Sequence, residues 1–335
     1  MQDKSIRFGA TVIGFAILLR LFSGGAVGRL IRNLTAQDVL AAVVFLETGR
    51  VVKPAPAPTE PAPTETAAAT QTPTEPAPTE QTEPAAKAVF SESDADLVAV
   101  NSVCGYDADL PALLSAPLDW DLKGDKPTVL IVHSHGTESY EKKENYTESS
   151  AYRTRNTKYN VVSVGAKLKK ELEKGGIQVI HDKTMHDSPS YANAYPNCRE
   201  SVEKYLKKYP SIRLVLDIHR DSVEGSDGKE MKFSLNVGGK SVAKLMLVVG
   251  TDAAGLSHPE WPDNMALAVK LHAQLEKNTP GICRSISFRS QRFNQDLSPG
   301  ALIVEVGSAG NTRAEALLGV ELLAEGILDL AEGAN

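Results

Sequence analysis

The sequence predicts an α/β fold: a largely parallel twisted sheet with helices on both faces, preceded by a transmembrane helix and a disordered Pro-rich linker. Three observations carry this expectation. From about residue 88, short apolar runs alternate with amphipathic stretches of helical period, the order of β-α-β units. The runs TVLIVH and RLVLDIH are apolar at nearly every position, as strands covered on both faces are. Before residue 88 the composition changes to a Pro/Thr/Glu repeat, and before that to an almost unbroken apolar stretch.

Residues 8–28 are long enough to span a bilayer with some tilt. Arg20 interrupts them close enough to the end to snorkel toward the interface. No small-x-small cleavage site follows, so a retained anchor is expected rather than a removed signal peptide. Lys4 and Arg7 precede the span and Arg29 and Arg32 follow it, which leaves its orientation open. Residues 30–49, with Leu34, Leu40, Val43, Val44 and Leu46, read as a second, amphipathic or fully apolar helix. Residues 53–87 repeat a Pro-Thr-Glu theme and hold nothing that builds a core. At about 3.1 Å per residue, such a polyproline-like spacer reaches on the order of 100 Å. The expected divisions are therefore an anchor at 1–52, a linker at 53–87 and a globular domain at 88–335.

Within that domain, residues 128–133 read as a buried strand. Residues 159–174 place Val161, Val164, Leu168 and Leu172 on one helical face, and Gly175-Gly176 ends the helix. A strand at 177–180 and a helix at 197–209, stopped by Pro210, come next. Residues 213–219 form the second buried strand. Residues 231–237 and 241–249 read as a strand pair across Gly238-Gly239. A helix at 261–278, strands at 283–289 and 301–306, and a closing helix at 313–331 complete the order.

The net charge of −6, with no Lys/Arg-rich block, argues against nucleic acid as a partner. The three cysteines, Cys104, Cys198 and Cys283, are odd in number and far apart, which excludes a disulfide framework and every C-x-x-C metal motif.

Three strands end in residues foreign to a core: His133-Ser134-His135-Gly136-Thr137-Glu138, Asp217-Ile218-His219-Arg220-Asp221 and Val304-Glu305-Val306-Gly307. The carboxyl ends of neighbouring parallel strands lie side by side, where ligands bind in such folds. His135 and Glu138 have H-x-x-E spacing. With His219 they make the His₂Glu set of a catalytic zinc, which leaves a fourth position for water. Zinc held in this way brings the pKa of its water to about 7 and polarises a scissile carbonyl. Glu305 is the candidate general base, and Asp217 or Asp221 the candidate to orient His219 through its other nitrogen.

His133 competes with His135 on the same strand face, as a ligand or as a packed neighbour. Arg220 either stabilises an oxyanion or pairs with Asp221. Gln291, Asn294, Gln295 and Asp296 either bind substrate amides or order their own loop. His186 either lines the cleft or orders its loop, and His181, His258 and His272 read as isolated.

The motifs HSHGTESY, TMHDSPSY, VLDIHRDS and FNQDLSPGALIVEVG, followed by Asn311-Thr312, resemble the stage II sporulation protein P family over roughly residues 125–315. The anchor and spacer fit its layout. The resemblance implies a zinc amidase-like fold and a zinc-dependent peptidoglycan hydrolase related to N-acetylmuramoyl-L-alanine amidases. Such an enzyme removes stem peptides and cuts peptide cross-links during forespore engulfment, from a single-pass membrane protein whose catalytic domain is extracytoplasmic. It also implies the stage II sporulation proteins D and M as partners, His135 and His219 as Zn2+ ligands, and Glu305 as the catalytic carboxylate. Amidases of the wider superfamily take their ligand Glu from the helix after the first strand. Here that stretch, Tyr152 to Thr157, has no acid, so Glu138 is the expected third ligand, with Glu148 as its substitute.

Two other readings use the same residues. A metallocarboxypeptidase-like enzyme shares the H-x-x-E…H pattern and a base Glu, but no Arg dedicated to a terminal carboxylate is identifiable. A non-catalytic wall-binding scaffold does not need an intact His135, His219 and Glu305.

Overall fold

The computed structural model describes residues 90–116, 120–141 and 152–333, all within one compact unit, Thr79–Asn335. The expected anchor, second helix and linker and Glu148 lie outside the described residues. Among the described residues no helix is long and apolar enough to cross a membrane.

Seven strands form one sheet: β1 (Val100–Ser102), β2 (Val129–Val132), β3 (Val179–His181), β4 (Leu214–Asp221), β7 (Leu245–Val249), β8 (Ile286–Phe288) and β9 (Ala301–Ser308). Their order is β1-β8-β7-β9-β4-β2-β3, and β5 (Ser234–Val237) with β6 (Lys240–Ala243) makes a separate hairpin. The helices are α1 (Leu110–Ser115), α2 (Val161–Lys174), α3 (Ala194–Lys208), α4 (Trp261–Asn278) and α5 (Arg313–Gly333). Asn160 starts α2 by accepting the Val162 amide on its side chain, which satisfies one otherwise orphaned donor of the first turn.

Strand alternation distributes the core. Val129, Ile131, Leu214, Leu216, Ile218, Leu302, Val304 and Val306 pack with the apolar stripes of α2, α4 and α5. Leu130, Val132, Val215 and Ala301 pack on the other face, with Cys198 and Val202 of α3. The sheet is thus covered on both sides, as its near-continuous apolar strands require.

The sheet is mostly parallel, with one antiparallel seam where β7 runs against β9. The expected single strand over 241–249 is in fact two. Up to Ala243 the chain pairs with β5, and from Leu245 it pairs with β9. Lys244 sits at the switch, its N–H donating to Phe233 O (3.0 Å) and its carbonyl accepting from Gly307 (2.8 Å). Both β1 and α1 escaped the sequence reading because three and six residues are too short to show a period.

Gly300 opens β9 against the backbone of Arg213, where an added Cβ would lie 1.8 Å from the Arg213 carbonyl oxygen. Two neighbouring strands must part to admit a methyl group. Gly300→Ala should therefore cost about 1–3 kcal/mol or more, read as a lowered midpoint in urea denaturation.

Candidate metal centre

Alternation on β4 and β9 builds the floor of the site. Val215, at the α3 face, fixes Asp217 and His219 on that face, and Ala301 does the same for Glu305. The register then sets His219 opposite Glu305. The chain after β2 turns over Ser134–Thr137 instead of continuing as a strand. That turn carries His135 and Glu138 back over His219.

Donor atoms of His135, Glu138 and His219 lie within 4.8 Å of one another. His135 Nδ1 is 3.5 Å from Glu138 Oε1, and His219 Nδ1 is 3.4 Å from Glu138 Oε2. Two imidazoles and a carboxylate this close are donors of the kind and spacing that fit zinc. The outer nitrogen of His219 is held as well: Nε2 is 2.9 Å from both Asp217 Oδ1 and Ser134 Oγ. Asp217 also accepts the Ser134 amide (2.8 Å). This carboxylate–imidazole pair fixes the ring so that Nδ1 faces Glu138.

The electrostatics are those of a buried anion set. Burial works to raise the pKa of Glu138, but the charge of Arg220 and hydrogen bonds from His135 and His219 outweigh it and hold the group well below the usual carboxylate range. Burial opposes a charge on His219, but Asp217 and then Glu138 outweigh it and hold its pKa well above 6.5. Glu305 differs. Burial, with Glu138 and Asp221 and against the opposing charges of His219 and Arg220, raises its pKa to about 8, and its Oε2 is buried without a hydrogen-bond partner. An orphaned carboxylate oxygen across the strand pair from His219 is a group prepared to take a proton.

The other predicted residues are placed as follows. Arg220 is buried, donating to Ser139 O and Tyr152 O (2.9 Å each), with its backbone N–H on Glu138 (3.2 Å). It supports Glu138 from within the fold and does not pair with Asp221. Asp221 instead pairs with Arg284 at 2.6 Å. His133 leaves β2 toward α2, away from His135, because the turn ends the strand's alternation. Fully buried, it bonds Ile218 O through Nδ1 (2.9 Å) and His181 Nε2 through its own Nε2 (2.8 Å). Burial takes its pKa down to about 4, and that of His181, also beside His133, to about 3. His181 is therefore not isolated, contrary to expectation.

Asn294, Gln295 and Asp296 order their own loop. Asn294 donates to Tyr195 O, Gln295 bridges Gly250 N and Val248 O (2.8 Å each), and Asp296 pairs with both Arg199 and Arg292. His186 is buried with Nε2 3.4 Å from Asp182, so it too serves its loop.

Sequence reading missed what holds the His135–Glu138 turn. Asp187 accepts from Thr137 N (3.2 Å), Thr137 Oγ1 (2.5 Å) and Arg153 (3.0 Å). Arg153 also lies 3.5 Å from Glu138 Oε1, in the stretch where an acid had been sought. Tyr191 stacks on His135, with ring centroids 4.5 Å apart. Asp187 and Tyr191 both fall in the motif TMHDSPSY, the one signal that pointed at them.

Comparison with known proteins identifies the family. The family model described as stage II sporulation protein P matches residues 41–328. Stage II sporulation protein P of Bacillus subtilis (strain 168) is 31% identical over 203 residues, 57% of this chain and 48% of that one, so the chain spans about half the length of the curated relative it matches. Among solved structures the chain is similar to an N-acetylmuramoyl-L-alanine amidase of Nostoc punctiforme, at 14% identity over 63% of this chain and 99% of that one, with a TM-score of 0.38. It is also similar to an amidase from Clostridioides difficile in complex with a lipoprotein, at 13% identity over 61% and 95%, with a TM-score of 0.36.

Two outcomes follow from the geometry. Asp217→Asn should weaken zinc binding about 10–100-fold, measured by competition with a chelator. In metal-free protein, folded Glu305 keeps its proton up to about pH 8 while an unfolded one loses it near 4.5. The wild type should therefore lose stability as pH rises between those values. Glu305→Gln should match wild type below that window and melt increasingly above it toward pH 8, in paired thermal scans.

Proposed function

The chain belongs to the stage II sporulation protein P family, and on that premise we propose that its globular domain is a zinc-dependent peptidoglycan hydrolase. The reading is an N-acetylmuramoyl-L-alanine amidase that removes stem peptides from glycan strands and also cuts peptide cross-links. One observation supports it above the others: three zinc-type donors converge beside a protonatable carboxylate with an unpartnered oxygen.

His135, Glu138 and His219 would hold the ion. When bound, zinc supplies Lewis-acid polarisation of the scissile amide carbonyl and acidifies the attacking water. The chain's own residues do the rest. Asp217 keeps His219 in one tautomer and one orientation. Arg220 and Arg153 keep Glu138 ionised and in place. Glu305 takes the proton of the attacking water on Oε2 and delivers it to the leaving amide nitrogen. A nearby cation would lower the pKa of Glu305 from about 8, so that it is ionised and basic near neutrality.

The wider setting is part of the same proposal. Residues 8–28 would anchor the protein in the cell membrane, and residues 53–87 would let an extracytoplasmic domain reach peptidoglycan in the septal intermembrane space. The stage II sporulation proteins D and M would be its partners during engulfment.

Purified full-length protein should contain zinc and release muropeptides from isolated peptidoglycan. His219→Ala should lose both metal and activity. Glu305→Gln should keep the metal and lose activity by at least about 10²-fold. Near-full activity in folded Glu305→Gln, or inactivity of zinc-loaded wild type on both amide and cross-link bonds, would overturn the assignment.

A further inference from the structure

The last turns of α4 meet the starts of β7 and β8. There His272 and Glu276, one helical turn apart, face Cys283 on the approach to β8, with one donor atom from each within 4.8 Å of the others. We propose that these three residues form a second metal site, for a thiolate-binding divalent ion of the zinc type, with a fixing rather than a catalytic role.

Imidazole, carboxylate and thiol together are a zinc-type donor set, and the sulfur selects against magnesium and calcium. The carboxylate is already immobile: Glu276 Oε1 accepts the Cys283 N–H and Oε2 the Gly281 N–H, each at 2.7 Å. Each oxygen keeps a further lone pair for a ligand. His272 supplies the independent sign. It is 2% exposed, and its Nδ1 is buried with no hydrogen-bond partner. Such a nitrogen calls for an occupant that supplies the missing bond.

Binding would break the S–H bond of Cys283, release its proton to solvent and form a sulfur–metal bond. The resulting thiolate and Glu276 carboxylate neutralise a divalent charge. Burial, with Glu276 alongside, keeps the metal-free thiol protonated, so uptake costs a proton and strengthens as pH rises. Glu276 and Cys283 are only half-buried, which leaves the ion a way in.

The position suggests what an ion would fix. Cys283 bridges to Leu245, Leu245 pairs with Val306, and Arg284 pairs with Asp221 at 2.6 Å. A metal here would clip the end of α4 to the same sheet end that carries Glu305, using none of the residues of the first site.

Cobalt(II) added to reduced, metal-free full-length protein separates the sites, because only a sulfur ligand gives thiolate-to-cobalt charge transfer. The band should appear in wild type, persist in His219→Ala and vanish in Cys283→Ser. Zinc should also slow iodoacetamide labelling of Cys283 in the wild type, a readout that needs no variant. Absence of the band in wild type, its persistence in Cys283→Ser, or labelling indifferent to zinc would reduce the cluster to a thiol hydrogen-bonded to Glu276. Failure of the amidase proposal would leave this band untouched.

Discussion

Everything at the candidate centre depends on the register between β4 and β9. A parallel pair buried on both faces has no freedom to slip, because a shift of one residue would turn Leu216, Ile218, Val304 and Val306 out of the main core. The apolar positions therefore lock the polar ones. With the core face settled, Asp217, His219 and Glu305 must emerge together on the opposite face, and His219 must stand beside Glu305. The chemistry is positioned by residues that take no part in it.

The second constraint is the charge on Glu138. A nearly buried carboxylate is costly unless paired. Here Arg220 from β4 and Arg153 from the segment before α2 approach it, with the Arg220 amide and two imidazoles. These groups hold the ligand oxygens where a metal would meet them. Asp187 does the same for the turn itself, through the Thr137 amide and hydroxyl and through Arg153. The turn after β2 is thus fixed at its carboxylate and at its backbone. The turn is preorganised before any ligand arrives.

Glu305 stands against this pattern. Burial and the anions Glu138 and Asp221 outweigh His219 and Arg220 there, and its Oε2 has no donor. The fold satisfies the Glu138 carboxylate and leaves one oxygen of Glu305 without a partner. Two acids about the same imidazole thus have opposite proton affinities, the division of labour that an acid–base site needs. A cation held by His135, Glu138 and His219, as proposed above, would lower the pKa of Glu305.

The sequence by itself determined the strand ends and the helical faces and singled out His135, Glu138, His219 and Glu305 as candidates, because those signals are local. Strand runs, helical periods and H-x-x-E spacing are written within a few residues of one another, and five ordered motifs carried the family. Tertiary structure alone decided the rest. Nothing local told His133 to turn under α2 to meet His181, since the alternation that grouped it with His135 stopped at an unforeseen turn. Nothing local gave Asp221 to Arg284 rather than Arg220, or brought Arg153 to Glu138. Nor could the run 241–249 show its break at Lys244, where one apolar pattern serves two sheets. Partners distant in sequence are chosen by packing, and packing exists only once the sheet is assembled.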